Sequence, residues 1–168
     1  MRALPNQGHY LLMSKKTKDN SDRLLTNQER GEIQECIEYG YSHLKMKPAA
    51  ETPDSVQEAI RRSVDRVLLA KKKPKQKELD DVALGLGCLW GQTVCDALGW
   101  QWCAATLEGD EVFVIASPDR SHVFMPMQFI RQQLAKSPPE DNTSLLAYNM
   151  LKAGRYGVAE PGSYTLLG

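Results

Sequence analysis

The sequence predicts an α+β domain in which a central buried helix and flanking helices pack against a three-stranded antiparallel meander. Three observations support this fold class. Apolar residues recur at helical spacing in the first half of the chain, short apolar runs separated by turns follow, and one glycine-rich helix lies between them. The 168 residues are enough for one domain. We predict a flexible segment over residues 1–25, the domain over 26–154 and a C-terminal tail over 155–168.

Two amphipathic helices are predicted before the central one. The first begins at Thr26, which can form a capping box with Glu29, and its apolar residues recur every three or four positions. The second begins after Thr52, with Pro53 in its first turn, and carries an apolar stripe opposite a charged face. Each helix therefore has one side to bury against a common core.

The central helix is predicted from about residue 75 to Leu98, with Gly99 as its stop signal. Placing successive residues about 100° apart gives a broad apolar face, a face of small residues that includes Gly87 and Gly91, and a narrow polar edge. Each glycine in a helix costs about 1 kcal/mol relative to alanine. We therefore predict that this helix is buried on two sides and that its glycines allow neighbouring backbones to approach closely.

Three apolar runs after the central helix predict strands over residues 100–107, 111–117 and 122–126. Short turns separate these runs, which is typical of antiparallel hairpins. A fourth helix is predicted to begin at Pro126, and a fifth helix is predicted to end at Gly154. We expect the helices to cover one face of the meander.

Charge and hydropathy argue against two kinds of partner. Lys and Arg together number 21, as do Asp and Glu, so the chain lacks the basic excess expected of a protein that neutralises nucleic-acid phosphates. No run approaches the roughly 18 apolar residues that cross a bilayer, and the apolar run at residues 10–13 is too short for a signal peptide. We therefore expect a cytoplasmic protein that binds neither nucleic acid nor membranes.

The four cysteines predict no metal or cofactor site. Cys36, Cys88, Cys95 and Cys103 have no CxxC or Cys/His spacing. Cys88 and Cys95 lie about 10.5 Å apart along a helix, beyond the roughly 7 Å limit for a disulfide. The stretch GLGCLWGQT lacks the glycine spacing and the lysine of a phosphate loop, so nucleotide binding is not expected.

An enzyme is the less favoured interpretation. A nucleophilic cysteine near His122 and an acid such as Asp96 would suit a small hydrolase or transferase, but this requires a tertiary proximity that sequence spacing does not provide. We also expect the cysteines to be buried, and buried thiols are inert. No catalytic residue is therefore predicted.

The stretch LGCLWGQTVCDALGWQWCAAT, followed by EVFVIASPDRSHVFMPMQFIRQQL, resembles a bacterial family of domains of unknown function. The pattern of that family is a helix reading roughly LGxxLGxxLxxxLGWxW, followed by strands and a short helix that begins with proline. The resemblance covers roughly residues 55–136 and implies a fold but no reaction and no catalytic residues. Domains of this size also resemble immunity proteins encoded beside bacterial toxins. The matching residues are Leu86, Gly87, Gly91, Leu98, Gly99, Trp100, Trp102, Pro126 and Ile130, with Trp90 where an aliphatic residue is commoner.

We predict a non-enzymatic protein-binding domain, and more specifically an immunity protein that neutralises a bacterial toxin by covering its active site. The expected contacts are Trp102, at the sheet edge, and Asp119, Arg120 and His122, at a hairpin turn. Exposed loops and aromatic anchors commonly form such interfaces. Two alternatives remain, a cysteine-dependent hydrolase or transferase and a module that binds a small ligand between sheet and helices.

Overall fold

A computed structural model describes residues 19–137 and 142–168, and within these ranges the chain has an α+β fold of five α-helices and one five-stranded mixed sheet. A single turn of 3-10 helix precedes the second α-helix. No helix in the described part of the chain has the length and apolar character needed to span a membrane. The helices are α1 (Asn27–Leu44), α2 (Pro53–Leu69), α3 (Gln76–Leu98), α4 (Pro126–Leu134) and α5 (Ser144–Lys152), and the strands are β1 (Ser21–Arg23), β2 (Gln101–Leu107), β3 (Asp110–Ala116), β4 (His122–Phe124) and β5 (Thr165–Leu167).

The sheet has two more strands than predicted. Strands β2, β3 and β4 form the expected antiparallel meander, but β1 pairs with β2 on one side and β5 pairs in parallel with β4 on the other. The prediction of a three-stranded meander is therefore wrong in its strand number. Both added strands have three residues and pair with strands far away in the chain. The sequence therefore contains no hairpin turn signal that would predict them.

The two added strands lie in the segments that we predicted to flank the domain. Strand β1 falls within the segment 1–25, and β5 falls within the tail 155–168. Residues 1–18 of the predicted flexible segment lie outside the described residues.

The helix boundaries follow local signals closely. Thr26 and Glu29 form the predicted capping box of α1, because the Thr26 side chain accepts from the Glu29 amide while the Glu29 carboxylate accepts from the Thr26 amide. Thr52 caps α2 in the same way, with Ser55 as its partner. Helix α3 ends at Gly99, which adopts the left-handed conformation with φ of 70°.

Helix α3 occupies the centre of the domain, as predicted, and its glycines lie where other chain segments approach. A Cβ on Gly87 would lie 2.5 Å from the Cα of Met127 in α4, and a Cβ on Gly91 would lie 2.5 Å from the Trp102 ring. On another side, a Cβ on Gly40 of α1 would lie 2.7 Å from the carbonyl oxygen of Gly85. These contacts leave no room for a side chain, so close packing explains the glycine content of α3.

Trp90 joins α3 to the elements on its other side. Its fully buried ring stacks on Phe124 of β4 at 4.8 Å and contacts Phe129 of α4 at 5.3 Å. Its indole N–H donates to the carbonyl oxygen of Ser144 at 3.1 Å, at the start of α5. One side chain therefore connects three of the elements around α3.

The sheet curls toward the face that does not meet α3. Tyr164, next to β5, donates to Asp22 of β1 at 2.6 Å, although these strands form opposite edges of the sheet. Four strand spacings in a flat sheet would separate the edges by about 19 Å. The contact therefore requires strong curvature, which small side chains on the concave face allow. The buried residues of that face are Cys103, Ala105, Val114, Ala116 and Val123.

Candidate functional site

The structure brings together three of the four predicted contact residues. Asp119, Arg120 and His122 lie in or beside the turn between β3 and β4. Trp102 lies apart from them on β2, half-buried against Gly91, and its indole N–H is buried without a hydrogen-bond partner among the described residues. The turn, rather than Trp102, therefore marks the candidate site.

Asp119 organises the turn. Its Oδ1 accepts hydrogen bonds from the Ser121 hydroxyl at 2.7 Å, the Ser121 amide at 3.0 Å and the Ser117 hydroxyl at 2.9 Å. These bonds, that of the Ser121 hydroxyl above all, lower the pKa of Asp119 to about 2. Asp119 is consequently ionised at neutral pH, and its side chain remains exposed.

The Arg120 side chain is fixed by hydrogen bonds within the protein. Its backbone is left-handed, with φ of 58°, which turns the side chain toward β1 and β2. The guanidinium donates to Asp22 at 3.2 Å and to Gln101 at 3.1 Å, as well as to the Ser117 carbonyl oxygen. These bonds occupy Arg120 inside the protein, so we assign it a structural role in the curled sheet.

His122 is a buried residue with a fixed hydrogen-bond pattern. Its side chain is 4% exposed, and Nδ1 lies 2.8 Å from the Ser121 hydroxyl. Because that hydroxyl gives its single hydrogen to the Asp119 carboxylate, Nδ1 must be the donor to Ser121. This pattern assigns the proton of the neutral ring to Nδ1 and leaves Nε2 as an acceptor. The edge of the ring meets Tyr156, with centroids 4.8 Å apart.

An open cleft of about 520 Å³ lies beside this turn. Ser117, Asp119 and His122 line one side of it, and the segment that follows α5, residues 154–159, lines the other. The cleft is therefore formed by a tight turn and a connecting segment. Its lining includes hydrogen-bond donors and acceptors.

An apolar groove of about 390 Å³ adjoins the cleft, and Tyr156 lines both. The groove runs between α5 and β5. Leu146 and Met150 of α5 border it and remain 55% and 42% exposed. We call the cleft and the groove together the Tyr156 surface. The other apolar residues that line the groove are Phe124, Phe129, Ala147, Leu151 and Leu167.

A sheet edge and a positively charged side chain border the Tyr156 surface. The outer edge of β5 has no strand partner within the described residues. Arg155 lines the groove and is exposed, and it makes no ion pair with any residue that the structure describes. By contrast, Lys152, the last residue of α5, is paired with Asp54 at 2.7 Å.

Burial raises the pKa of all four cysteines, whereas a catalytic cysteine nucleophile has a lowered pKa. Burial raises the pKa of Cys103 to about 11 and that of Cys95 to about 12, and it raises the pKa of Cys88 further. Thiols with such pKa values are protonated at neutral pH and react slowly. Among the described residues, His122 bonds Ser121 rather than a cysteine, and no group of three metal-ligating side chains occurs.

Sequence reasoning missed Tyr156, Leu146 and Met150. The last two lie four residues apart on a short helix whose opposite side carries the buried Tyr148 and Leu151. That two-sided apolar pattern was a usable signal, because a helix apolar on both sides needs a second partner. Tyr156 had no such signal, since its role depends on contacts with Trp100 and His122.

Comparisons of the chain with protein-family models, with curated proteins and with solved structures found no match. The motif resemblance to a family of unknown function and the general likeness to immunity proteins therefore stay predictions.

Proposed function

We propose that this chain is a non-enzymatic protein-binding domain and that its partner docks on the Tyr156 surface. One observation carries the proposal. Leu146 and Met150 expose apolar side chains along a groove that borders the outer edge of β5, and that edge has no strand partner among the described residues. Contiguous exposed apolar surface with a polar rim is typical of interaction sites.

The groove provides the apolar surface from which most of the binding free energy would come. Phe124, Phe129 and Tyr156 supply aromatic walls, and Leu146 and Met150 supply flexible apolar edges. A partner side chain that fills this groove removes water from Tyr156, Leu146 and Met150, which is the arrangement typical of binding hot spots. Methionine adapts its shape readily to a bound surface.

The backbone groups at the outer edge of β5 could fix the orientation of the bound partner. Its outward N–H and C=O groups can pair with an extended segment of the partner, which would add a sixth strand to the sheet. Alternate side chains of that segment would then enter the groove, because strand residues alternate between the two faces. Arg155 favours an acidic residue in the bound segment.

Toxin neutralisation is the specific form of this proposal. An immunity protein acting in the cytoplasm would use the Tyr156 surface to cover the active site of its toxin. The general likeness in size to immunity proteins supports this form, and so do the four unpaired cysteines, which suit a reducing compartment. Its test is enzymatic: one equivalent of the chain should abolish the activity of the captured partner.

Photo-crosslinking in the native host tests the docking surface. A benzophenone amino acid at Met150 should capture one protein, and the same group at Leu69 should capture none. Leu69 is a matched control because it is 68% exposed but lies on α2, away from the groove. Capture at Leu69 alone would contradict the proposal.

The captured partner then permits a direct measurement of affinity. Met150→Asp should weaken binding at least tenfold, because a carboxylate would be buried in an apolar groove, whereas Leu69→Asp should leave the Kd unchanged. Both variants should unfold at the wild-type temperature, since substitutions of exposed residues usually change stability by less than about 0.5 kcal/mol. Equal binding by Met150→Asp would count against this surface.

A second candidate function is the binding of a small ligand, and a separate pocket favours it. A pocket of about 220 Å³ lies between α1, α3 and β2, and Trp102 lines it together with Leu25, Ile33 and Ile37. The apolar side chains that line this pocket favour a small apolar ligand. Native mass spectrometry of the protein from its host tests this: a bound molecule that Trp102→Leu releases would support it, and a ligand-free mass would not.

A further inference from the structure

Helices α1 and α3 approach each other closely at two glycines. A Cβ on Gly40 would lie 2.7 Å from the carbonyl oxygen of Gly85 and 3.1 Å from the Cβ of Leu89. Helices usually pack with their axes about 8–10 Å apart, and a crossing without side chains lies at the lower end of that range. The two backbones are therefore unusually close near this point.

Two cysteines lie one turn from the crossing. Cys36 precedes Gly40 by four residues in α1, and Cys88 follows Gly85 by three residues in α3. The Cys36 and Cys88 side chains interact with each other, and burial raises the pKa of both thiols. A disulfide needs Cα atoms about 4.4–6.8 Å apart, and the close approach of the two helices at Gly40 and Gly85 favours a short separation one turn away.

The two thiols differ in their access to solvent. Cys36 is half-buried and lines a surface depression of about 310 Å³ between the helices. Cys88 is 1% exposed. A reagent in solution therefore meets Cys36 first, and Cys88 can react only with what is already attached to Cys36.

We propose that Cys36 and Cys88 form a reversible disulfide that links α1 to α3 when the protein meets an oxidised low-molecular-weight disulfide such as oxidised glutathione. The Cys36 thiolate attacks one glutathione sulfur, which forms a mixed disulfide and releases one glutathione thiolate. The Cys88 thiolate then attacks the Cys36 sulfur and releases the second glutathione thiolate. The released thiolates take up the two cysteine protons, so the cysteine pair loses two electrons and the glutathione disulfide gains two.

The link should stabilise the fold. It closes a loop of about fifty residues, which removes conformational freedom from the unfolded chain, so the Tm should rise by roughly 5–10 °C. The raised pKa values of both thiols slow the exchange at neutral pH and predict faster formation at higher pH. In a reducing compartment the link would be transient.

Peptide mapping of the full chain tests the proposal. The wild type is incubated with oxidised glutathione, quenched with acid and digested with chymotrypsin, which cleaves after Trp90 and so separates Cys88 from Cys95. We expect a linked pair of peptides that contains Cys36 and Cys88, together with the higher Tm and its loss on reduction.

Matched variants complete the test. Cys36→Ser should remove the linked peptides and the rise in Tm, and Cys95→Ser with Cys103→Ser should keep both. A link between Cys95 and Cys103, or glutathione retained on Cys36 without a link in the folded wild type, would overturn the proposal.

Discussion

The buried surroundings of α3 and the Tyr156 surface are built in opposite ways. Around α3, glycines replace side chains so that backbones touch, and Trp90 fills what space remains. At the Tyr156 surface, large apolar side chains such as Leu146 and Met150 border open space. One region has no room for an added methyl group, and the other leaves its apolar surface in water.

This contrast separates stability from binding. Close packing in the core makes stability sensitive to single atoms. Exposed apolar side chains contribute little to folding, so their presence is better explained by a partner. Substitutions around α3 should therefore change the free energy of unfolding, and substitutions at the Tyr156 surface should change affinity.

The largest effect should come from Trp90. Trp90→Ala should lower the free energy of unfolding by about 4 kcal/mol, because it leaves a cavity and removes the hydrogen bond to Ser144. Chemical denaturation measures the change. Trp90→Phe should lower the free energy of unfolding clearly less. An alanine variant that loses no more than about 1 kcal/mol would contradict the close packing described around α3.

Gly87 should come next. Gly87→Ala should destabilise the protein by about 3 kcal/mol, since the new Cβ would meet the backbone of Met127 at 2.5 Å. Gly31→Ala is the matched control in α1, where a Cβ would contact nothing within 4 Å, and it should stabilise the helix by about 0.5–1 kcal/mol. Thermal unfolding of both variants gives the comparison, and shifts of the same sign would contradict it.

A smaller effect is expected where Tyr164 ties the two sheet edges together. Tyr164→Phe removes the hydrogen bond to Asp22 and should cost about 1 kcal/mol. Asp22 keeps its bond to Arg120, so the curl of the sheet should persist. Circular dichroism checks the fold and denaturation checks the cost; an unchanged stability would mean that this bond does not hold the sheet.

The smallest effect should appear at Asp119 on acidification. Its folded pKa of about 2 is below its ordinary 3.8, so its contribution to stability is present above pH 3.8 and is lost as the pH falls toward 2. Asp119→Asn should therefore flatten the loss of Tm over this range, because asparagine does not titrate. Parallel curves for the two proteins would show that the turn does not depend on this carboxylate.

The same contrast explains what the sequence could predict. Helix periodicity, caps and the small-residue face of α3 are local patterns, so α1 to α3 and the role of Gly87 followed from them. Strands β1 and β5 acquire their partners from distant residues, and three residues are too few to show a period. Asp119 and His122 were found as a turn signal, but their connection through Ser121 requires coordinates.

Hydrogen–deuterium exchange of the complex with the captured partner tests the central claim most directly. Partner binding should protect the amides of α5 and β5 and those of the segment 154–159, which line the Tyr156 surface. Exchange around Tyr39 and Leu84, on the exposed side of α1 and α3, should not change. Protection confined to α1 and α3, with none at α5 or β5, would contradict the account.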